Sequence, residues 1–155
     1  MYTIFTNNNA VADFFKQHTE LQCTVKWVTA PAMEVLTAAR VAIRQGAVLL
    51  SNPMAGVNIP PTAVGGGKNQ KINPFIQQKS RPTVINPYLT ILATPPGDTV
   101  DFQSVKRVDD ALNIYKQNAR LRFMAHDDDS IQHFQLVDLD FMLRTLSGLL
   151  GIRIN

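Results

Sequence analysis

The sequence lacks the features that would place it outside the cell or in a membrane. It has a single cysteine, Cys23, so no disulfide can form within the chain, and a disulfide-stapled secreted framework is excluded. It contains no run of about 20 apolar residues, the length needed to span a bilayer. Residues 1–5 carry no basic side chain, and we expect neither a signal nor a transit peptide there. These absences predict a cytoplasmic protein with no membrane association.

Acidic residues are missing from a long central window. None occurs between Glu34 and Asp98, although the chain has 12 acidic residues and a net charge of +3. The basic residues of this window are Arg40, Arg44, Lys68, Lys71, Lys79 and Arg81. Their charge would attract an anionic ligand or partner. The alternative is that the two arginines form a solvated helix face and the other four belong to a loop.

No complete catalytic or metal-binding motif is present. Residues 65–68 (Gly-Gly-Gly-Lys) resemble a phosphate loop in composition, but the first glycine and the final Ser or Thr of that motif are missing. Ser51 lacks the Gly-x-Ser-x-Gly frame of a nucleophile elbow. His126 and His133 lie near acidic residues, which fit a helix start better than a metal shell. We expect no cofactor and no metal, and a non-enzymatic role is favoured over an enzymatic one.

Strand and helix patterns alternate along the chain. β-Branched, aromatic and continuous apolar runs predict strands at residues 2–6, 23–28, 47–50 and 88–93, with a further edge strand at 120–125. Apolar residues at helical spacing predict helices between them, and a last helix capped by Asp138. Crossovers long enough to hold helices indicate an α/β fold: a small three-layer structure with a mostly parallel sheet of four to five strands and helices on both faces.

One segment interrupts this rhythm. Residues 57–87 are rich in proline, glycine and polar side chains, which predicts a long loop inserted in a single α/β domain covering residues 1–155. We expect residues 65–81 of this loop to be a mobile, basic lid. The alternative is that its apolar residues pack against the domain or a second subunit.

Polar and turn-forming residues follow the predicted strands. In a parallel sheet these ends meet at one edge, where ligands bind near helix N-termini. The alternative is that they serve only as caps and turns. Gly56 is expected to satisfy a backbone requirement near the Asn7 loop. The predicted ligand-binding residues are Thr6, Asn7, Asn8, Ser51, Asn52, Pro53, Gly56, Lys68, Lys71 and Tyr88.

Four segments occur in an order similar to a known family. Residues 4–8 read hydrophobic-Thr-Asn-Asn, residues 49–56 read Leu-Leu-Ser-Asn-Pro-Met-Ala-Gly, Pro87 precedes Tyr88, and residues 134–138 end in Val-Asp. These segments resemble the GrdX-like family, small proteins encoded alongside the glycine, sarcosine and betaine reductases. Residues 62–86 have no counterpart in the family pattern. The resemblance implies an accessory role beside amino-acid reduction.

Two classes of function follow from these observations. The first is an accessory or binding protein that recognises a small anionic metabolite, or a protein of a reductase complex, at the strand-end edge. The alternative is an enzyme acting on a phosphorylated or carboxylated small molecule, with Asn7, Asn8 and Ser51 as hydrogen-bonding groups. Nucleic-acid binding is disfavoured, because the basic window contains only Phe75 and Tyr88 as aromatic residues. A homo-oligomer is left open.

Overall fold

Helices and strands alternate in the computed structural model, which describes residues 1–29, 31–55, 86–117 and 128–154. The α/β class predicted from the sequence is confirmed. In chain order the elements are β1 (Tyr2–Thr6), α1 (Asn9–Gln17), a 3-10 turn (Thr19–Leu21), β2 (Cys23–Trp27), α2 (Ala32–Arg44), β3 (Thr90–Ala93), α3 (Phe102–Gln117) and α4 (Asp128–Leu150).

The sheet is mixed. Across the described residues it has three strands in the order β2-β1-β3, with β1 parallel to β2 and antiparallel to β3. The prediction of a mostly parallel sheet with four to five strands is therefore corrected. An apolar run indicates that a strand is buried but not in which direction it runs. The sequence pattern therefore could not distinguish an antiparallel strand from a parallel one.

The strand predicted at residues 47–50 is reduced to a single bridge. Leu49 pairs with Ala93 of β3 in antiparallel fashion. The Leu50 amide donates to the Leu92 carbonyl at 2.8 Å, and the Thr94 amide donates to the Val48 carbonyl at 2.9 Å. This segment thus extends the sheet beyond β3 and runs parallel to β1. The edge strand predicted at residues 120–125 lies outside the described residues.

Two apolar clusters cover the two faces of the sheet. One joins α2 and α3 to Phe5 and Ile91, and the other joins α1 and α4 to Ile4 and Leu92. Ile4 and Phe5 are neighbours on β1 and point to opposite faces, as the period of two in a strand requires. Helices therefore lie on both faces, in three layers.

The helix starts agree only partly with the sequence. Asn8 caps α1, its side chain accepting from the Ala10 amide, as the sequence predicts. The N-cap residue of α2 is Pro31, which makes no side-chain cap hydrogen bond, and the nearby Thr29 hydroxyl accepts from the Trp27 indole. Phe102, the first residue of α3, is 80% exposed. Asp138 lies well inside α4 and is not its cap.

Two glycines at the edge opposite Thr6 allow a close backbone approach. Gly46 follows α2 with a φ of +104°, and a Cβ there would overlap the carbonyl oxygen of Gly97. The Gly97 amide donates to the Gly46 carbonyl at 2.9 Å. The end of α2 is thereby tied to the turn that leads into α3.

Part of the basic window is neutralised by α3. Arg40 Nε lies 2.9 Å from Asp109 Oδ1, and Arg44 Nη2 lies 3.8 Å from Asp109 Oδ2. These arginines face an acid from outside the window, which the charge count along the sequence could not show. They form half-exposed ion pairs between α2 and α3. This differs from both sequence-based alternatives, which were attraction of an anion and a solvated helix face.

Candidate functional site

The ends of β1 and of the segment at residues 47–50 lie at the same edge of the sheet. Both run antiparallel to β3, whose first residue, Thr90, is paired with Thr6. Ser51 lies on the other side of β3, where its Oγ accepts a hydrogen bond of 2.9 Å from the Leu92 amide. The Thr6 loop and the Ser51 loop thus open at one edge, with the start of β3 between them.

A buried carboxyl group joins this edge to α4. Asp138 is 7% exposed, and its Oδ2 accepts from Thr90 Oγ1 at 2.6 Å and from Asn8 Nδ2 at 3.0 Å. Asn8 Nδ2 also donates to the Gln135 carbonyl at 2.9 Å. Three elements, the β1–α1 turn, β3 and α4, therefore meet at one carboxyl group.

The hydrogen bonds at this carboxyl have a fixed direction when Asp138 is ionised. Thr90 has one hydroxyl proton, which it gives to Asp138, so its 2.8 Å contact with Thr6 Oγ1 requires Thr6 to donate. Thr6 Oγ1 in turn accepts from the Asn8 amide at 3.0 Å. The chain of donors starts at the backbone and ends at the carboxylate.

Burial and hydrogen bonding act on Asp138 in opposite directions. Burial raises the pKa of this carboxyl, and the hydrogen bonds from Thr90 and Asn8 partly offset that rise because they favour the charged form. Tyr115 of α3 interacts electrostatically with Asp138, and burial raises the tyrosine pKa. Its hydroxyl has no hydrogen-bond partner in the part of the chain that the structure describes.

Asp138 forms part of the wall of a pocket at this edge. The pocket has a volume of about 190 Å³. This is below the roughly 300 Å³ at the lower end for drug-sized ligands, so it fits a small metabolite. The α4 side of the pocket is mixed, with two polar side chains, Asp138 and Thr145, and two apolar ones, Phe141 and Met142. We call it the strand-end pocket; its described lining residues are Ser51, Asn52, Ala55, Thr90, Asp138, Phe141, Met142 and Thr145.

Three of the predicted site residues use their side chains within the protein. Asn7 accepts from the Leu89 amide at 2.9 Å and donates to the Pro87 carbonyl at 3.1 Å. Asn8 caps α1 and binds Asp138, as described above. Thr6 is fully buried. Their contacts fix the position of Asp138 and of the chain entering β3.

Ser51, Asn52, Pro53 and Tyr88 lie around the same edge. Ser51 and Asn52 line the strand-end pocket, and Asn52 Oδ1 also accepts from the Met54 amide at 2.9 Å. Pro53 is buried in the turn that follows. Tyr88 is half-buried, and its amide donates to Asn86 Oδ1 at 2.9 Å.

The remaining predicted site residues are Gly56, Lys68 and Lys71, which lie outside the described residues. The same holds for most of the long loop predicted at 57–87, for the lid predicted at 65–81, and for His126. The backbone conformation expected of Gly56 and the mobility expected of the lid stay predictions.

Sequence reasoning missed Thr90 and Asp138 as site residues. The missed signal for Asp138 is its spacing: it belongs to a stripe with one residue every four positions on α4. The members of the stripe, all buried, are Phe134, Asp138, Met142 and Leu146. An acidic residue within such an apolar stripe indicates a buried polar contact. Thr90 gave no comparable signal, because Thr is an ordinary strand residue.

Charge at the pocket differs from the expectation of an anion site. Among its described lining residues, Asp138 is the sole ionisable one. Arg107 of α3 is a basic group with a contact at this edge, where its Nη2 donates to the Ser51 carbonyl at 3.3 Å, but it does not line the pocket. The anionic ligand was inferred from the basic window, and of that window Lys68 and Lys71 are outside the described residues.

No family model, curated protein or solved structure matches this chain. What the site can do is therefore judged on its own chemistry. In the described ranges there is no group of three or more His, Cys, Asp or Glu side chains that could hold a metal ion. In those ranges, too, no helix is long and apolar enough to cross a membrane. Ser51 Oγ is engaged by the Leu92 amide, a sheet contact and not a contact with a base.

Proposed function

We propose that this protein binds a small polar molecule in the strand-end pocket and acts by binding rather than by catalysis. The observation that carries the proposal is a buried carboxyl, Asp138, in the wall of an open pocket. Burying an ionisable group costs stability unless its environment compensates. Asp138 interrupts the otherwise apolar buried stripe of α4 at the position where that stripe lines the pocket.

The composition of the pocket supports a ligand of mixed character. Thr90 and Ser51 place hydroxyl groups on the strand side, while Phe141 and Met142 supply apolar surface from α4. Apolar walls with a few placed polar groups are typical of small-molecule sites. Phe141 is 43% exposed, so it can contact a ligand near the opening.

The wider role that we propose is an accessory one in the cytoplasm, beside amino-acid reduction. It rests on the resemblance to the GrdX-like family. One of the resembling segments, residues 134–138, contains Asp138. In that role the bound molecule would be a small metabolite, and the basic segment with Lys68 and Lys71 would meet any anionic group it carries. A protein of a reductase complex is the other partner that the resemblance implies.

A pair of variants tests the binding proposal. Thr145→Phe places an aromatic ring in the pocket, whereas Leu136→Phe adds a ring on the same helix at a side chain that is 61% exposed and outside the pocket lining. We expect a thermal-shift screen of small amines, amides, alcohols, carboxylates and phosphates to give stabilisation that Thr145→Phe abolishes and Leu136→Phe keeps. Stabilisation that both variants retain would place the ligand elsewhere, and no stabilisation by any compound would contradict the proposal.

One observation favours a second candidate, an enzyme. Asp138 accepts a hydrogen bond of 2.6 Å from the Thr90 hydroxyl, which is the contact that a general base makes with a hydroxyl nucleophile. Thr90 is only 5% exposed, which limits access to it. Hydrolysis of 4-nitrophenyl phosphate or 4-nitrophenyl acetate that is lost in Asp138→Asn would support this candidate. Hydrolysis equal in both proteins, or absent from both, would count against it.

A further inference from the structure

The charge of the strand-end pocket identifies the class of ligand that fits it. We infer that the ligand presents a protonated amine to Asp138, so that the pocket selects small cations over small anions of the same size. This inference rests on the proposed function and adds the chemistry of recognition. It also separates the pocket from the basic window, which points to an anion.

Asp138 has no counter-charge among the residues that the structure describes. The two side chains that bind the carboxyl, Thr90 and Asn8, are both uncharged. The four described ion pairs of the chain involve Asp109, Asp110 and Asp140, and none of them involves Asp138. A buried carboxylate that has no cation beside it among the described residues gains most from a ligand that supplies one.

The hydrogen-bond donors around Asp138 favour its carboxylate form. Thr90 Oγ1 and Asn8 Nδ2 both donate to Asp138 Oδ2, and when Asp138 is ionised Thr6 donates to Thr90. Hydrogen-bond donors favour the ionised form of the carboxyl that accepts from them. An ionised Asp138 has no proton and cannot donate a hydrogen bond to an anionic ligand. The network therefore offsets part of the cost of a charge at this buried position, and a cationic ligand would offset more of it.

Polar but uncharged side chains contact Asp138 in the described part of the chain. From β3 it meets Thr90 and from the β1–α1 turn it meets Asn8, while on α3 burial and then the charge of Asp138 raise the pKa of Tyr115. Burial raises the tyrosine pKa, so Tyr115 is neutral at pH 7 and supplies no charge. An anion in this pocket would face the carboxylate without compensation from any described lining residue.

Three probes of matched size and different charge test the inference: propylammonium, propanamide and propionate. Titrations of the wild-type protein should show propylammonium binding at least about tenfold more tightly than propionate, with propanamide between them. Its affinity should rise with pH as Asp138 ionises, by up to about tenfold per pH unit. Asp138→Asn should bring the affinity for propylammonium down to that for propanamide.

The outcomes separate the inference from the proposed function. Propionate binding more tightly than propylammonium, with binding blocked by Thr145→Phe, would overturn the inference and leave the pocket a ligand site. Binding of no probe by the wild-type protein would count against both. If Asp138→Asn fails to fold, the pH dependence of propylammonium binding to the wild-type protein decides: a flat profile across the titration of Asp138 contradicts the inference.

Discussion

The hydroxyl of Thr90, at the start of β3, donates a hydrogen bond of 2.6 Å to the buried carboxyl of Asp138 in α4. This contact joins the sheet to the helix that covers one of its faces. Thr90 also contacts Thr6 of β1, so one side chain links two strands to a helix. The candidate site therefore depends on a residue whose side chain also holds the fold together.

Replacing Thr90 tests how much this contact stabilises the protein. Thr90→Val keeps the shape of the side chain but removes the hydroxyl, so Thr6 and Asp138 each lose one buried hydrogen-bond partner and keep the one that Asn8 supplies. We expect the free energy of unfolding to fall by about 1–3 kcal/mol, measured by urea denaturation. Thr37→Val is the matched control, because the Thr37 hydroxyl bonds to the Met33 carbonyl on an exposed helix surface. Its effect should stay within about 0.5 kcal/mol, and equal losses in the two variants would contradict this account.

The raised pKa of Asp138 predicts how stability depends on pH. A carboxyl whose pKa is higher in the folded than in the unfolded state binds its proton more tightly when folded. The carboxyl therefore favours folding at low pH. This contribution is complete below the pKa of the unfolded state and is lost as the pH rises through the higher pKa of the folded state. Asp138→Asn lacks this titration.

Denaturation of both proteins across this pH range checks the sign. The wild-type protein should gain stability relative to Asp138→Asn as the solution is acidified. Other acidic groups titrate in both proteins, so the difference between the two isolates Asp138. A difference that moves in the opposite direction, with the wild type gaining on Asp138→Asn as pH rises, would mean that hydrogen bonding outweighs burial.

Two glycines should respond to alanine in opposite ways. Gly46→Ala puts a Cβ against the backbone of Gly97 at a positive φ, and we expect a loss of several kcal/mol. Gly148→Ala, in α4, meets nothing within 4 Å and should raise stability by about 0.5–1 kcal/mol. Thermal denaturation of both variants gives the comparison. A Gly46→Ala protein as stable as the wild type would show that the backbone at this turn can move.

Tyr115 provides a test of the buried, unpartnered hydroxyl. Tyr115 is 1% exposed, and its hydroxyl has no partner among the described residues. Burial removes the Tyr115 hydroxyl from water, and no described residue replaces the hydrogen bonds that it makes there. Tyr115→Phe removes this hydroxyl. We expect the free energy of unfolding to stay equal or to rise by up to about 1 kcal/mol. A fall in the free energy of unfolding by more than about 1 kcal/mol would show that this hydroxyl makes a hydrogen bond to a residue outside the described part of the chain.

The sequence predicts single elements of this fold better than their arrangement. β1, β2, α1 and α2 were expected close to where they lie, because apolar spacing and capping residues such as Asn8 are local signals. The direction of β3 was not predictable. It depends on which strand β3 pairs with, and that is decided by contacts between residues far apart in the chain.

The candidate site was predictable in position but not in chemistry. Turn-forming residues after the strands identified the edge where Thr6 and Ser51 lie. The groups that give the pocket its character, Thr90 and Asp138, are 48 positions apart, and nothing local relates them. Asp138 was interpreted as a helix cap, since an aspartate before an apolar segment is ordinary at a helix start. Only the position of α4 against the sheet shows that it is buried.

The most direct test of the account is whether a ligand touches the strand-end pocket. Met142 lines the pocket and is 2% exposed, while Met33 packs in the layer formed by α2 and α3 on the other face of the sheet. With methyl-labelled methionine, NMR spectra during a propylammonium titration should show the Met142 signal moving in a saturable way and the Met33 signal unchanged. Assignment follows from Met142→Leu and Met33→Leu. Saturable movement of Met33 with a stationary Met142 would contradict the account.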